Sequence, residues 1–159
     1  METIPPVADL VAKLRAQGIE LPPGPVRADA FGDSRELSEL LLALIRKGCK
    51  RAGTGLLWAI EAENEIVPAV GQIEIVVDHR NEPALITRTT RVEIVPFIEV
   101  TAEYAAIEGE GDGSLEYWRE AHWAFFKREC ERIGREPLET MPVVCSVFEV
   151  LMVLPQDPA

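Results

Sequence analysis

The sequence predicts an α+β fold, and three observations lead there. Helical periodicity governs residues 7–17 and 33–47; between 70 and 97 it gives way to alternating, β-branched segments; after position 101 two more helical stretches precede a closing apolar run at 143–150. Helices and strands therefore come in blocks rather than in alternating β-α units, an order that a small β-barrel flanked by helices satisfies.

In the first helix Val7, Leu10, Val11 and Leu14 recur on one face and Gly18 supplies a stop, as expected of a short docking helix. Pro22, Pro23 and Pro25 cannot continue it, so residues 21–25 read as a semi-rigid linker. The second helix starts after Phe31-Gly32-Asp33-Ser34, with Asp33 as the cap and Glu36 three residues on, as in a capping box. Leu37, Leu40, Leu41, Leu44 and Ile45 form its apolar stripe, and Arg46 and Lys47 suit the negative end of its dipole before Gly48. Residues 49–55 break the pattern as a glycine-rich basic loop, and a helix resumes at Leu56-Leu57-Trp58 and runs to about Glu65.

Ile73 to Val77 reads as a strand, 78–82 as a polar turn, and 85–95 as one or two further antiparallel strands. Thr101 can cap a short helix through Ile107. The acidic, glycine-spaced loop 108–114 then leads into a longer helix that turns Leu115, Trp118, His122, Phe125, Phe126 and Ile133 inward. The expected organisation is a helix and Pro-rich linker over residues 1–28, followed by one domain over 29–155.

Composition bounds the function. With 159 residues, 47% hydrophobic and 27% charged, the chain can enclose one sizeable core. It has no apolar run of membrane-spanning length and no secretory signal pattern, so a cytoplasmic protein with no membrane partner is expected. Cys49, Cys130 and Cys145 lie far apart with no Cys-x-x-Cys pair, which predicts reduced thiols rather than a structural zinc site; a loosely held Mg²⁺ on carboxylates is the one ion the composition leaves open. A net charge of −11 disfavours tight non-specific duplex DNA binding, yet Arg46, Lys47, Lys50 and Arg51 fall within six positions and form a local basic site.

Five segments in this order resemble the ASCH domain family, whose fold is similar to the PUA domains of RNA-modifying proteins. They are Phe31-Gly32-Asp33-Ser34; Gly48-Cys49-Lys50, the start of a Gly-x-Lys loop; Leu56-Leu57-Trp58; the loop 108–112 leading to Ser114-Leu115-Glu116-Tyr117-Trp118-Arg119; and Met141-Pro142-Val143-Val144-Cys145. The likeness runs from about Phe31 almost to the C-terminus. It implies a PUA-like barrel with a cleft beside the Gly-x-Lys loop that binds single-stranded RNA or a nucleotide-like ligand. Some members resemble ribonucleases, others amidohydrolases acting on acetylated cytidine, so a hydrolase and a non-catalytic RNA-binding module both follow from it. The amidohydrolase branch uses a Lys, a Thr three residues later and a distant Glu, which maps onto Lys50, position 53 and Glu108 or Glu110. Position 53 is Gly53, and the adjacent Thr54 is one residue out of place, a shift that re-aims a hydroxyl in a tight loop.

Weighed physically, Lys50 is either a point charge for a phosphate or nucleobase carbonyl or a solvated helix end, and Arg51 beside it offers a planar fork. Thr54 can donate to a ligand, although capping the next helix is its expected role. Glu108, Glu110 and Asp112 can supply a general base, and the spacing does not choose among them. Trp58 and Tyr117 can stack a base, whereas Trp118 at helical spacing reads as core. Arg119 either complements Lys50 at an anion or pairs with Glu116 or Glu120, and His122 can act as an acid or base near neutral pH, although on an apolar stripe a hydrogen-bonded core residue is its expected role. The candidate catalytic set is therefore Lys50, Glu110, Glu108 and Thr54, the ligand-binding set Arg51, Trp58, Tyr117 and Arg119, with no metal ligand assigned.

Overall fold

The computed structural model describes residues 3–156. Its order is α1 (Val7–Ala16), β1 (Val26–Ala30), α2 (Arg35–Arg46), β2 (Ala52–Leu56), α3 (Leu57–Ala62), β3 (Ile73–Val77), β4 (Pro83–Pro96), a 3₁₀ turn (Phe97–Glu99), α4 (Ala102–Glu108), α5 (Leu115–Ile133) and β5 (Pro142–Val153). One mixed sheet holds the five strands in the order β1-β3-β4-β5-β2; β1 runs parallel to β3, while β3–β4 and β2–β5 are antiparallel. The α+β class expected from the sequence is present. No helix among the described residues is long and apolar enough to cross a membrane.

The chain gathers into two compact units that are discontinuous in sequence: one takes residues up to Gly48, 70–90 and from Phe148 on, the other Cys49–Ala69 and Arg91–Val147. In the first, β3 is buried on both faces, which is why Ile-Glu-Ile-Val-Val lacks a clean alternation. Ile73, Ile75 and Val77 pack with Leu10 and Leu14 of α1, and Val76 packs with Leu42 and Ile45 of α2 and Phe148. In the second unit α5 inserts Trp118, Phe126 and Cys130 among Ala52 and Leu56 of β2, Phe97, Ala105 of α4, and Val143 and Cys145 of β5.

Four expectations are corrected in detail. The cap of α2 is Ser34, whose hydroxyl accepts the Leu37 amide, rather than Asp33. Its buried stripe is Ser38, Leu41, Leu42 and Ile45, which leaves Leu40 exposed. Residues 26–30, beside the Pro-rich stretch, form a strand because β3 offers them a parallel edge. The largest change is at 52–56: the glycine-rich segment is no loose loop but strand β2, paired so that Gly53 faces Ser146 and Thr54 faces Cys145. Thr54 therefore sits inside a strand and caps no helix. Glycines carry little strand propensity, and the ladder with β5 overrides it.

Candidate functional site

Glycine 109 sets the site up. It ends α4 in the left-handed conformation, φ 67°, and a Cβ there would collide with the Cys49 carbonyl oxygen. The end of α4 thus lies directly on the segment carrying Lys50, and the Arg51 amide donates to the Ile107 carbonyl at 2.9 Å. This contact brings Glu108, the last residue of α4, against Lys50.

Both side chains are buried, at 1% and 2% exposure. The Lys50 ammonium donates to the Ala52 carbonyl at 2.6 Å and lies 3.3 Å from Glu108 Oε1 and 3.4 Å from Glu110 Oε1. Three acceptors match its three N–H groups. Glu108 in turn receives four donors. Lys50 and His122 Nε2 (2.8 Å) meet Oε1, while Trp118 Nε1 (2.6 Å) and the Thr54 hydroxyl (2.7 Å) meet Oε2. Burial alone would raise the Glu108 pKa. The Lys50 charge, with the His122 and Trp118 hydrogen bonds, wins and brings it down from 4.5 to about 2.

His122 Nδ1 lies 2.9 Å from the Trp118 carbonyl, an acceptor only, and Nε2 faces the ionised Glu108, also an acceptor only. Both ring nitrogens therefore carry hydrogen and the ring is an imidazolium. Its titration agrees: burial pulls the pKa down, but the Glu108 hydrogen bond and charge, followed by the Glu110 charge and the Trp118 carbonyl, hold it above the ordinary value. The imidazole stacks on the Trp118 ring with centroids 4.3 Å apart at 15°. The charges of Lys50, His122, Glu108 and Glu110 sum to zero.

Around Thr54, Tyr104 completes the cluster. Its hydroxyl lies 2.8 Å from the Gly53 carbonyl and 3.0 Å from Thr54 Oγ1. Cys145, opposite Thr54 in the ladder, is held as a thiol: burial and the Glu108 charge push its pKa up to about 12.

The structure thus joins Lys50, Thr54, Glu108 and Glu110 from the sequence-derived set. The other four are engaged elsewhere. Arg51 folds its guanidinium back onto the Lys50 carbonyl at 3.1 Å. The Trp58 ring carries the Arg135 guanidinium at 3.8 Å, Tyr117 lies over Gly111, and Arg119 donates to the Ile98 carbonyl at 3.4 Å. Three members escaped the sequence reading in this role: Tyr104, Trp118 and His122, each read as core or left aside. A signal existed, since Tyr104 precedes Glu108 by one helical turn and Trp118 precedes His122 by another, so each pair shares a face.

Glu108, Glu110 and His122 also place one ligand atom each within 4.8 Å of one another. They do not fit Mg²⁺. The Lys50 ammonium already stands against both carboxylates, His122 has no free lone pair, and a hard dication prefers oxygen donors with retained waters.

The ASCH domain family model matches residues 27–152. Among solved structures, the chain is similar to an ASCH domain from Lactobacillus crispatus JV V101, with 31% identity and a TM-score of 0.78 over 90% of this chain and 92% of that one. It is also similar to a protein from Enterococcus faecalis V583, with 32% identity and a TM-score of 0.74 over 91% and 90% of the two chains. No match was found among curated proteins.

Proposed function

The chain belongs to the ASCH domain family, and on that premise we propose that the Lys50, Thr54 and Glu108 cluster is the active site of an amidohydrolase that removes an acyl group from a nucleobase-like amide, as in acetylated cytidine, with Thr54 as nucleophile. The observation that carries the reading is the 2.7 Å hydrogen bond from the Thr54 hydroxyl to Glu108 Oε2. Nucleophile and carboxylate are within proton-transfer reach, and the carboxylate is itself oriented by Lys50, His122 and Trp118. The one-residue offset at Gly53 does not keep the hydroxyl from Glu108: on strand β2, opposite Cys145, Thr54 is the residue whose side chain reaches the last residue of α4.

Thr54 Oγ1 attacks the acyl carbon while its proton passes to Glu108 Oε2. A carboxylate held near pKa 2 does not keep that proton; it passes it to the leaving nitrogen as the C–N bond breaks, leaving an ester on Thr54. Water then cleaves the ester, giving its proton through Glu108 back to Thr54 Oγ1 and releasing the carboxylic acid. Lys50 acts by its field and by fixing both carboxylates, since its N–H groups already have acceptors. A cluster of zero net charge favours an uncharged amide over a phosphate, so an RNA ligand would present a modified base here rather than its backbone.

The test incubates the protein with N4-acetylcytidine and with a single-stranded RNA carrying that base, and measures acetate released. Thr54→Ala is expected to lower the rate by about 10³-fold or more, and Thr54→Ser to retain part of it. Release of no acetate from either substrate, or an unimpaired Thr54→Ala, overturns the reading.

A further inference from the structure

Two hydroxyl hydrogens serve three short oxygen contacts around Thr54. Glu108 is ionised and Gly53 offers a carbonyl, so both can only accept. Thr54 therefore gives its single hydrogen to Glu108 and Tyr104 gives its own to Gly53, the Cys145 thiol being a further hydrogen-bond partner of the Tyr104 hydroxyl. The remaining contact, 3.0 Å between Tyr104 Oη and Thr54 Oγ1, then holds no hydrogen in the resting state.

We infer that Tyr104 is a catalytic residue of this site, its hydroxyl turning from the Gly53 carbonyl to Thr54 Oγ1 as that oxygen gains negative charge and donating a hydrogen bond that the resting state lacks. The inference rests on the amidohydrolase reading and adds a residue to it. As the Thr54 proton moves to Glu108, the lone pairs of Oγ1 become the strongest acceptor within reach of Tyr104. The same donor steadies Oγ1 when the ester breaks and the oxygen leaves. No proton leaves Tyr104 in either step: Glu108 carries the proton and Tyr104 supplies only the hydrogen bond.

The surroundings permit this motion. The ring is 5% exposed and packed edge-on to Trp118, with centroids 6.5 Å apart, so the hydroxyl hydrogen can rotate while the oxygen stays put. Burial and the nearby Glu108 charge push the phenol well above its ordinary pKa, which keeps it a donor throughout. The Thr101 hydroxyl caps the Tyr104 amide at 3.1 Å and fixes the start of α4, so Oη keeps its place relative to strand β2.

Tyr104→Phe keeps the ring and deletes the donor. With N4-acetylcytidine as substrate, kcat is expected to fall by about 10²-fold, while KM and the thermal midpoint remain near wild type. Incorporation of 3-fluorotyrosine at position 104, which restores a hydroxyl, should restore kcat. A purely structural tyrosine would instead lower the midpoint or raise KM. If Thr54→Ala abolishes turnover while Tyr104→Phe stays within about twofold, the Tyr104 inference alone fails. Loss of kcat in Tyr104→Phe that tracks a fall in midpoint, or that 3-fluorotyrosine does not repair, also overturns it. A wild-type protein that releases no acetate removes the amidohydrolase reading and this inference together.

Discussion

A carboxylate has room for about four hydrogen-bond donors, and Glu108 receives four, two of them cationic. This saturation is why a side chain at 2% exposure can remain charged. It also makes the unit sensitive to acid. A carboxyl whose folded pKa lies below its unfolded value contributes stability above the unfolded value and loses it as pH falls through the folded one. For Glu108 that window runs from 4.5 down to about 2, and the contribution is on the order of 3 kcal/mol. His122 has the opposite sign: its raised pKa contributes below the ordinary imidazole value and is lost as pH rises through the folded one. Glu108→Gln should lower the urea midpoint at pH 6 and flatten its acid limb. A wild-type limb no steeper than that of the variant would contradict this.

Elements, rather than single residues, decide how closely Glu108 approaches Lys50. Gly109 and Gly113 both have positive φ, 67° and 76°, yet a Cβ at Gly109 strikes the Cys49 carbonyl while one at Gly113 meets nothing within 4 Å. Gly113→Ala should therefore cost only the left-handed strain, about 1–2 kcal/mol. Gly109→Ala adds a backbone collision that only a shift of α4 can relieve, so its urea midpoint should fall further and acetate release should fall with it. Equal effects from the two variants would mean that the α4 contact does not position the site.

The same contrast separates what was legible in the sequence from what was not. α2 and α5 announce themselves by period, and the Thr101 cap by side-chain chemistry, because these are local signals. β2 is invisible locally, since Ala-Gly-Thr-Gly-Leu becomes a strand only when β5 lies beside it. Lys50, Thr54, Glu108 and Glu110 could be named by type. The choice of Glu108 over Glu110 could not, because it depends on where α4 ends and what that end touches. Trp118 and His122 satisfy an apolar stripe and a polar cluster at once, and periodicity sees only the first role.

At the scale of the whole molecule a second buried carboxyl works against the first. Glu74 on β3 stands opposite Arg27 of β1, 3.4 Å from its Nε, with Asp29 two residues along the same strand. Burial and the Asp29 charge outweigh the Arg27 guanidinium and hold Glu74 up at about 7. Asp29 is raised as well, burial again being the main cause, so the pair holds a proton that the unfolded chain gives up. A carboxyl raised in this way contributes stability that is complete below its unfolded value and fades as pH rises from 4.5 towards 7. A chain of net charge −11 adds diffuse repulsion of the same direction. With Glu108 still ionised at pH 5 and Glu74 protonated there, stability should peak near pH 5 instead of at neutrality. Glu74→Gln keeps the shape and removes the titration, so it should raise the urea midpoint at pH 8, leave it little changed at pH 5, and flatten the slope between them. High salt separates the two contributions, because it screens the diffuse repulsion and barely reaches the buried pair. A slope that vanishes in salt while Glu74→Gln has no effect at pH 8 would assign the pH dependence to net charge alone.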